Sequence, residues 1–378
     1  MKNFSQHPLS HPLNYVSVSR AALLLNHKTL QQAHPEAQIC PVLKSNAYGH
    51  GLVEVAPIFD SMGCPFLVVN SLSEAMALSV LTVKTPILVM GYTPPTQLVH
   101  LADSFEFAVF DIEVARALNS RPTKTNIHIF IDTGMQREGI QIHKLQEFLT
   151  QLKRLSNISI TGLCSHFADA DNPDEITFCE HQMNQFDKAL EIMKQNNIIP
   201  KWKHISASGG TYKFSNPSFT MARVGLAHYG FNPLEKKDTF SDRLPPLQPA
   251  LEFCSTLSQV KQVAKGSVVG YNCTFIVKED SVLGLFPAGY FEGVDRRLSN
   301  KGHVKIRDQI FPIVGRVSMN MTVVDITKLK NPTIGEKIIV YSACNEDVNS
   351  VANTARQIGT IPYDLLVHIA ESIPRIIS

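Results

Sequence analysis

Eight short apolar runs, separated by amphipathic stretches over the first two thirds of the chain, restrict the possible folds more than any other feature. They are "ICPVLK" (39–44), "FLVVN" (66–70), "ILVM" (87–90), "FAVF" (107–110), "IHIFID" (127–132), "ITGLCSHF" (160–167), "KHISAS" (203–208) and "ARVGLAHYG" (222–230). Each is nearly continuously hydrophobic rather than alternating, as parallel strands are when helices cover them. Helix starts lie between them, among them the capping box Ser71-Leu72-Ser73-Glu74. Eight βα units predict a (β/α)8 barrel. After about residue 240 the texture changes. "RLPPLQPA" reads as a proline-rich linker, and the runs beyond it are rich in Val, Ile and Thr and bounded by Gly, Asn and Asp. The expected fold class is therefore α/β, an N-terminal TIM-like barrel over 14–243 followed by a mainly-β domain over 244–378, with 1–13 a leader that could pack on the latter.

Composition narrows the partners. At 378 residues and 44% hydrophobic, the chain has ample core for both domains. Lys plus Arg number 35 against 33 Asp plus Glu, a balance that predicts small ligands rather than nucleic acid. No run is long enough to span a bilayer and the start has no apolar signal region, so a cytoplasmic location is expected. Seven dispersed cysteines without a C-x-x-C pair predict reduced thiols and no metal site.

Barrel chemistry gathers at the C-terminal ends of the strands. Lys44 ends the first run, Arg137 follows the fifth, His166 lies near the end of the sixth and Ser208 closes the seventh. Ser208-Gly209-Gly210 and Gly225 stand after runs seven and eight, where barrels often bind phosphate through backbone N–H groups. A lysine amine and a phosphate cradle in one mouth suggest an imine-forming lysine with pyridoxal 5'-phosphate.

"VLKSNAYGHG" resembles the cofactor-lysine motif of alanine racemases. The likeness continues in order through "IDTGMQREG", "SHFADAD", "MARVGLAHYG", "VGYNCT", "AGYFEGVDRRLSN", "GRVSMNM" and "GTIPYDLL", over nearly the whole chain. The resemblance implies a barrel followed by a β domain and a racemase with two bases. On it, Lys44 is the cofactor lysine and one base. Tyr48, Ser208, Gly225 and Leu226 form the phosphate site. Arg223 faces the pyridine nitrogen, His166 lies against the ring, and Arg137 orients the tyrosine or the substrate carboxylate. Tyr290 is the second base, and it and Met319 reach the site from the partner of a homodimer, with Asn320 beside the substrate.

The sequence also departs from the family pattern. Phe130 stands where several alanine racemases carry a carbamylated lysine that braces the arginine, so Arg137 needs another partner. Gln136 and Glu138 flank that arginine in place of more usual residues. Asn320 replaces an aspartate, and Glu371 stands where some members have a phosphate-binding tyrosine. These changes bear on substrate choice. The implied function is interconversion of L- and D-alanine, supplying D-alanine for peptidoglycan. A racemase of serine or a basic amino acid and a non-catalytic pyridoxal-phosphate-binding protein remain open.

Overall fold

The computed structural model describes residues 12–98, 105–173, 176–214, 216, 218–234, 238–241 and 246–378. The chain forms two compact units, 21–248 and 249–378, the second completed by 12–20.

In the first unit the eight apolar runs become eight parallel strands: Gln38–Pro41, Leu67–Val69, Ile87–Val89, Phe105–Val109, Thr125–Asp132, Ile158–Cys164, Trp202–His204 and Met221–Val224. The second to seventh form one continuous sheet, and the eighth pairs with the first. Leu43 N donates to Val68 O (2.7 Å), tying the first strand to the second. Thr220 N and Arg223 N donate to Lys203 O and Ser206 O, at 3.0 and 3.1 Å, and so close the barrel between the seventh and eighth. Most residues of these strands are buried, with Ile158–Cys164 and Trp202–His204 partly exposed over their first halves, and this burial accounts for the hydrophobicity of the runs.

Helices follow several of the strands and cover them: Leu52–Asp60, Leu72–Ser79, Ile112–Asn119, Ile142–Leu152 and Thr177–Gln195. The predicted capping box at Ser71 forms in full. Elsewhere the covering is shorter. The seventh strand is followed by the six-residue Ser208–Lys213 and the eighth by the 3₁₀ turn Leu226–Tyr229. Helix Arg20–Ala33 lies outside the first and eighth strands. Its Leu30 packs with Ile39, Val224 and Ala227, and Asn26 Nδ2 donates to His228 O (3.0 Å) and Gln248 O (2.8 Å).

The second unit is mainly β. Its largest sheet has six strands, in the order Gln309–Pro312, His303–Ile306, Lys337–Tyr341, Leu251–Thr256, Tyr15–Val18 and Arg375–Ile377. A three-stranded sheet joins Gln259–Val263, Ser281–Phe286 and Thr322–Asp325. The division between units differs from the sequence expectation at the N-terminus. Tyr15–Val18, assigned there to the barrel, pairs antiparallel with Leu251–Thr256 and parallel with Arg375–Ile377, so its backbone is satisfied only in the β unit. Most of the expected leader and part of the proline-rich linker lie outside the described residues. Among the described residues no helix is long and apolar enough to cross a membrane.

Candidate active site

Lys44 does not end the first barrel strand, which stops at Pro41; it stands three residues beyond, where it opens an unusual turn. Ser45, Asn46, Ala47 and Tyr48 all have φ between +53 and +56°, a full left-handed turn built from residues with side chains. Each such residue costs roughly 1–2 kcal/mol, so the turn persists only because its surroundings fix it. Ala47 N donates to Leu43 O (2.8 Å), Leu52 N to Asn46 Oδ1 (2.7 Å) and Ser45 N to Glu74 Oε1 (2.7 Å). Glu74 also accepts from Asn70 N and Ser71 N with its other oxygen, so one carboxylate caps its own helix, Leu72–Ser79, and grips the residue after Lys44. Its capping role is legible in the sequence; its hold on Ser45 is not.

Lys44 is reached by solvent yet surrounded by protein atoms, and burial, Arg137 and Arg223 together lower its pKa from the ordinary 10.5. More of the amine is therefore neutral and nucleophilic at working pH.

The left-handed turn carries Tyr48 inward. Its ring lies 5.2 Å from that of Tyr229, which His50 abuts at 4.4 Å and whose hydroxyl donates to Val42 O (2.9 Å). The Tyr48 hydroxyl points at Gly225, where any Cβ would overlap it. Only glycine permits this approach. Ser208 Oγ stands opposite and accepts from Gly225 N (3.2 Å) and Ala227 N (3.4 Å). Tyr48 and Ser208 therefore both lie against the loop at Gly225, whose next residue is Leu226. Ser208 does not close the seventh strand as expected; it opens the short helix four residues beyond the strand's end at His204.

Arg223 is buried in the eighth strand and held from several sides. Nη2 donates to Ser165 O (2.7 Å) and Ile205 O (3.3 Å) and meets His166 Nδ1 at 3.1 Å, while Nη1 meets His204 Nδ1 at 2.5 Å. Burial first, then the cations Arg223, Arg137 and Lys44, push His166 down to about 3, so it is a neutral ring at working pH. Gln182, fully buried, fixes this stretch by donating to His166 O (2.9 Å) and Thr133 Oγ1 (3.1 Å) and accepting from Ala168 N (2.9 Å).

Arg137 is half exposed and follows a turn in which Asp132 Oδ1 accepts from Gly134 N and Gln136 N. Its carboxylate neighbour is Glu138, with Nε to Oε2 3.4 Å. Phe130 is buried with Ala108 and Cys164, against Met90 and Phe110, so an apolar plug fills the place of a bracing lysine.

The remaining expected residues lie in the β unit. Tyr290 and Met319 are exposed, at 43% and 55%. Tyr290 N donates to Ser318 O (3.0 Å) and Phe291 N to Met319 O (2.9 Å), which joins the two motifs "AGYFEG" and "SMNM". Beneath them is a buried residue that the sequence did not single out. Glu292 accepts from Gly289 N (2.8 Å) and from Asn320 Nδ2 (2.7 Å). Asn320 thus serves as a donor, a role an ionised aspartate cannot fill. The side chain of Glu371 is exposed, while its carbonyl accepts from Arg375.

The first unit is thus a parallel barrel with a lysine of lowered pKa just beyond its first strand and with hydroxyl and backbone N–H groups gathered in its last loops, and the second unit is mainly β. The family profile described as alanine racemase, N-terminal domain matches residues 18–233, and that for the C-terminal domain matches 250–377. The chain belongs to the alanine racemase family. It is 32% identical to an alanine racemase of Methanococcus maripaludis over 97% of this chain and 99% of that one. Among solved structures it superposes on alanine racemase of Clostridium difficile 630 with a TM-score of 0.90 at 28% identity, covering 98% and 96% of the two chains. It also superposes on that of Bacillus anthracis with bound L-Ala-P, with a TM-score of 0.87 at 30% identity, covering 97% and 95%.

Proposed function

We propose that the protein interconverts L- and D-alanine with pyridoxal 5'-phosphate, supplying D-alanine for peptidoglycan from the cytoplasm. The observation that carries this reading is the glycine at 225, whose missing Cβ lets the Tyr48 hydroxyl lie against the eighth-strand loop, where Gly225 N donates to Ser208 Oγ, in the unit that holds Lys44. Tyr48, Ser208, Gly225 and Leu226 suit a phosphate, and Arg223 and His166 a flat heteroaromatic ring. When bound, the cofactor supplies the electron sink that acidifies the substrate α-proton.

The chain's residues do the rest. Lys44 holds the cofactor and, with its lowered pKa, exchanges a proton on one face of the substrate. Arg223 has N–H donors only and stays charged, so it can hydrogen-bond a pyridine nitrogen but is a poor source of the proton that would strengthen the sink. Neutral His166 packs against the ring without adding charge. Arg137 receives the substrate carboxylate. Tyr290, exposed on its unit, is the base for the opposite face and enters the site of a partner subunit together with Met319, in a homodimer, while Asn320 lies beside the substrate.

Glu138 favours a second reading. A carboxylate 3.4 Å from Arg137 suits a substrate with a polar or cationic side chain, such as serine or a basic amino acid. Incubating the protein with each L-amino acid in deuterated water, with Lys44→Ala as control, separates these readings. α-Proton exchange and D-alanine formation that vanish in the variant support alanine racemisation. A different D-amino acid moves the assignment to the second reading, and bound cofactor without exchange on any substrate leaves a binding protein.

A further inference from the structure

Behind Arg223, three buried or half-buried side chains line up through the barrel interior toward the starting ends of its strands. Arg223 Nη1 meets His204 Nδ1 at 2.5 Å, His204 Nε2 meets His128 Nδ1 at 2.7 Å, and His128 Nε2 stands 3.2 Å from Glu106 Oε2. Glu106 is held in turn by Asn126 Nδ2 (3.0 Å) and Thr161 Oγ1 (3.1 Å). These residues come from the eighth, seventh, fifth, fourth and sixth strands. Room for the column is built in, because any Cβ at Gly162 would overlap the His128 ring.

The hydrogens in this column have one consistent arrangement. A guanidinium only donates, so His204 Nδ1 is the acceptor and carries no hydrogen. Burial lowers the pKa of both imidazoles, so each is neutral with a single N–H. His204 therefore donates from Nε2 to His128 Nδ1, and the one hydrogen left to His128 sits on Nε2, 3.2 Å from the Glu106 carboxylate. Burial alone would raise the pKa of Glu106, but the N–H and O–H groups that His128, Asn126 and Thr161 turn toward it outweigh burial and hold the pKa down, so the carboxylate stays ionised. A cation at one end and an anion at the other fix the direction of every donor between them.

We propose that Glu106 is a positioning residue for Arg223: through His128 and His204 it fixes the imidazole tautomers, so that the guanidinium always meets a bare Nδ1 and keeps one orientation toward the cofactor ring. This rests on the pyridoxal-phosphate reading above. Replacing Glu106 by leucine removes the carboxylate that the buried His128 Nε2–H faces. Moving that hydrogen to Nδ1 would set two donors against each other at His204, and the displacement passes to Arg223. A glutamine still offers a carbonyl oxygen. Its NH2 cannot reverse the column, because Arg223 supplies no acceptor at the far end.

The first test uses cofactor-free protein with ¹⁵N-labelled histidine. In wild type and Glu106→Gln, His128 and His204 should each show a protonated Nε2 and a bare Nδ1, unchanged across neutral pH; in Glu106→Leu the tautomers should mix. With pyridoxal phosphate bound, Glu106→Leu should shift the cofactor absorption band and lower kcat/KM by about tenfold, the loss of roughly one buried hydrogen bond. Glu106→Gln should stay within about twofold of wild type, since its carbonyl keeps that bond. If Glu106→Leu does not fold, Thr161→Val, which removes one donor to the carboxylate, should shift the same signals in the same direction. Wild-type nitrogen shifts and an unmoved cofactor band in Glu106→Leu, or in Thr161→Val if that variant must decide, overturn the proposal. A wild-type protein that binds no cofactor sinks the functional reading instead, and the nitrogen shifts tell the two failures apart.

Discussion

Adding a single methyl at Gly225 tests the cradle directly. In Gly225→Ala the new Cβ overlaps the Tyr48 hydroxyl, with ring carbon Cζ 2.7 Å away and Cε2 3.1 Å. Restoring even a 3.4 Å contact requires Cζ to retreat by about 0.7 Å. Tyr48 has little room to do so, because Tyr229 lies 5.2 Å behind it, pinned by His50 and by its own hydrogen bond to Val42 O. The backbone of Tyr48 is already held in the left-handed region. Overpacking of this kind costs about 2–3 kcal/mol. Tyr48→Phe removes the nearest atom but leaves Cζ too close, so in that background the methyl should cost about 1 kcal/mol less, a positive coupling between neighbours. Urea midpoints at constant m, measured for wild type, both single variants and the double variant, give the cycle. Fluorescence titration with pyridoxal phosphate should show affinity falling at least tenfold in Gly225→Ala, since the Tyr48 hydroxyl leaves the cradle and one such hydrogen bond is worth about 1.5 kcal/mol. Additive midpoints, or an unchanged affinity, would refute the reasoning.

Three further outcomes follow from the geometry. Glu74→Gln weakens a carboxylate that accepts three backbone N–H groups; it should cost about 1–3 kcal/mol and lower kcat more than it raises KM, read by thermal melting and steady-state rates. Asn320→Asp removes the donor to buried Glu292 and sets two carboxylates against each other. The pair's folded pKa should then rise, so the variant should approach wild-type stability at acidic pH and lose ground as pH increases, as melting across that range would show. Lys44 titrates in the opposite sense. Its folded pKa lies below the ordinary 10.5, so its burial penalty is fully present below the folded value and is relieved as pH rises toward 10.5. Cofactor-free Lys44→Met should therefore melt above wild type near neutrality, with the gain shrinking at alkaline pH.

The eight barrel strands were legible because each must be apolar along its whole length to lie between helices and barrel interior, and all eight runs appear in order. The strand ends were not. "ICPVLK" reads as one run to Lys44, yet pairing with the eighth strand stops at Pro41 and the chain then turns left-handed. Nothing in Ser45-Asn46-Ala47-Tyr48 announces four positive φ angles; the glycines that would do so, Gly49 and Gly51, come after them. The assignment of Tyr15–Val18 to the β unit was hidden as well, because a strand's partners can lie hundreds of residues away, here at 251–256 and 375–377.

The residues proposed to touch a small ligand could be found one motif at a time, since Lys44, Tyr48, Arg137, Ser208, Arg223 and Tyr290 each sit in a recognisable local pattern. The residues that hold them could not. Glu106, His128, His204 and Gly162 belong to four different strands, and Glu292 reaches Asn320 across 28 positions. By itself the sequence determined the order of strands, the change to a β-rich second unit and the identity of the chemical groups, because hydrophobic run length and local motifs are properties of neighbours in the chain. Only the tertiary structure decided which buried polar groups satisfy one another, because a hydrogen bond in a dry interior is made by whichever strands the closing of the barrel brings within 3 Å.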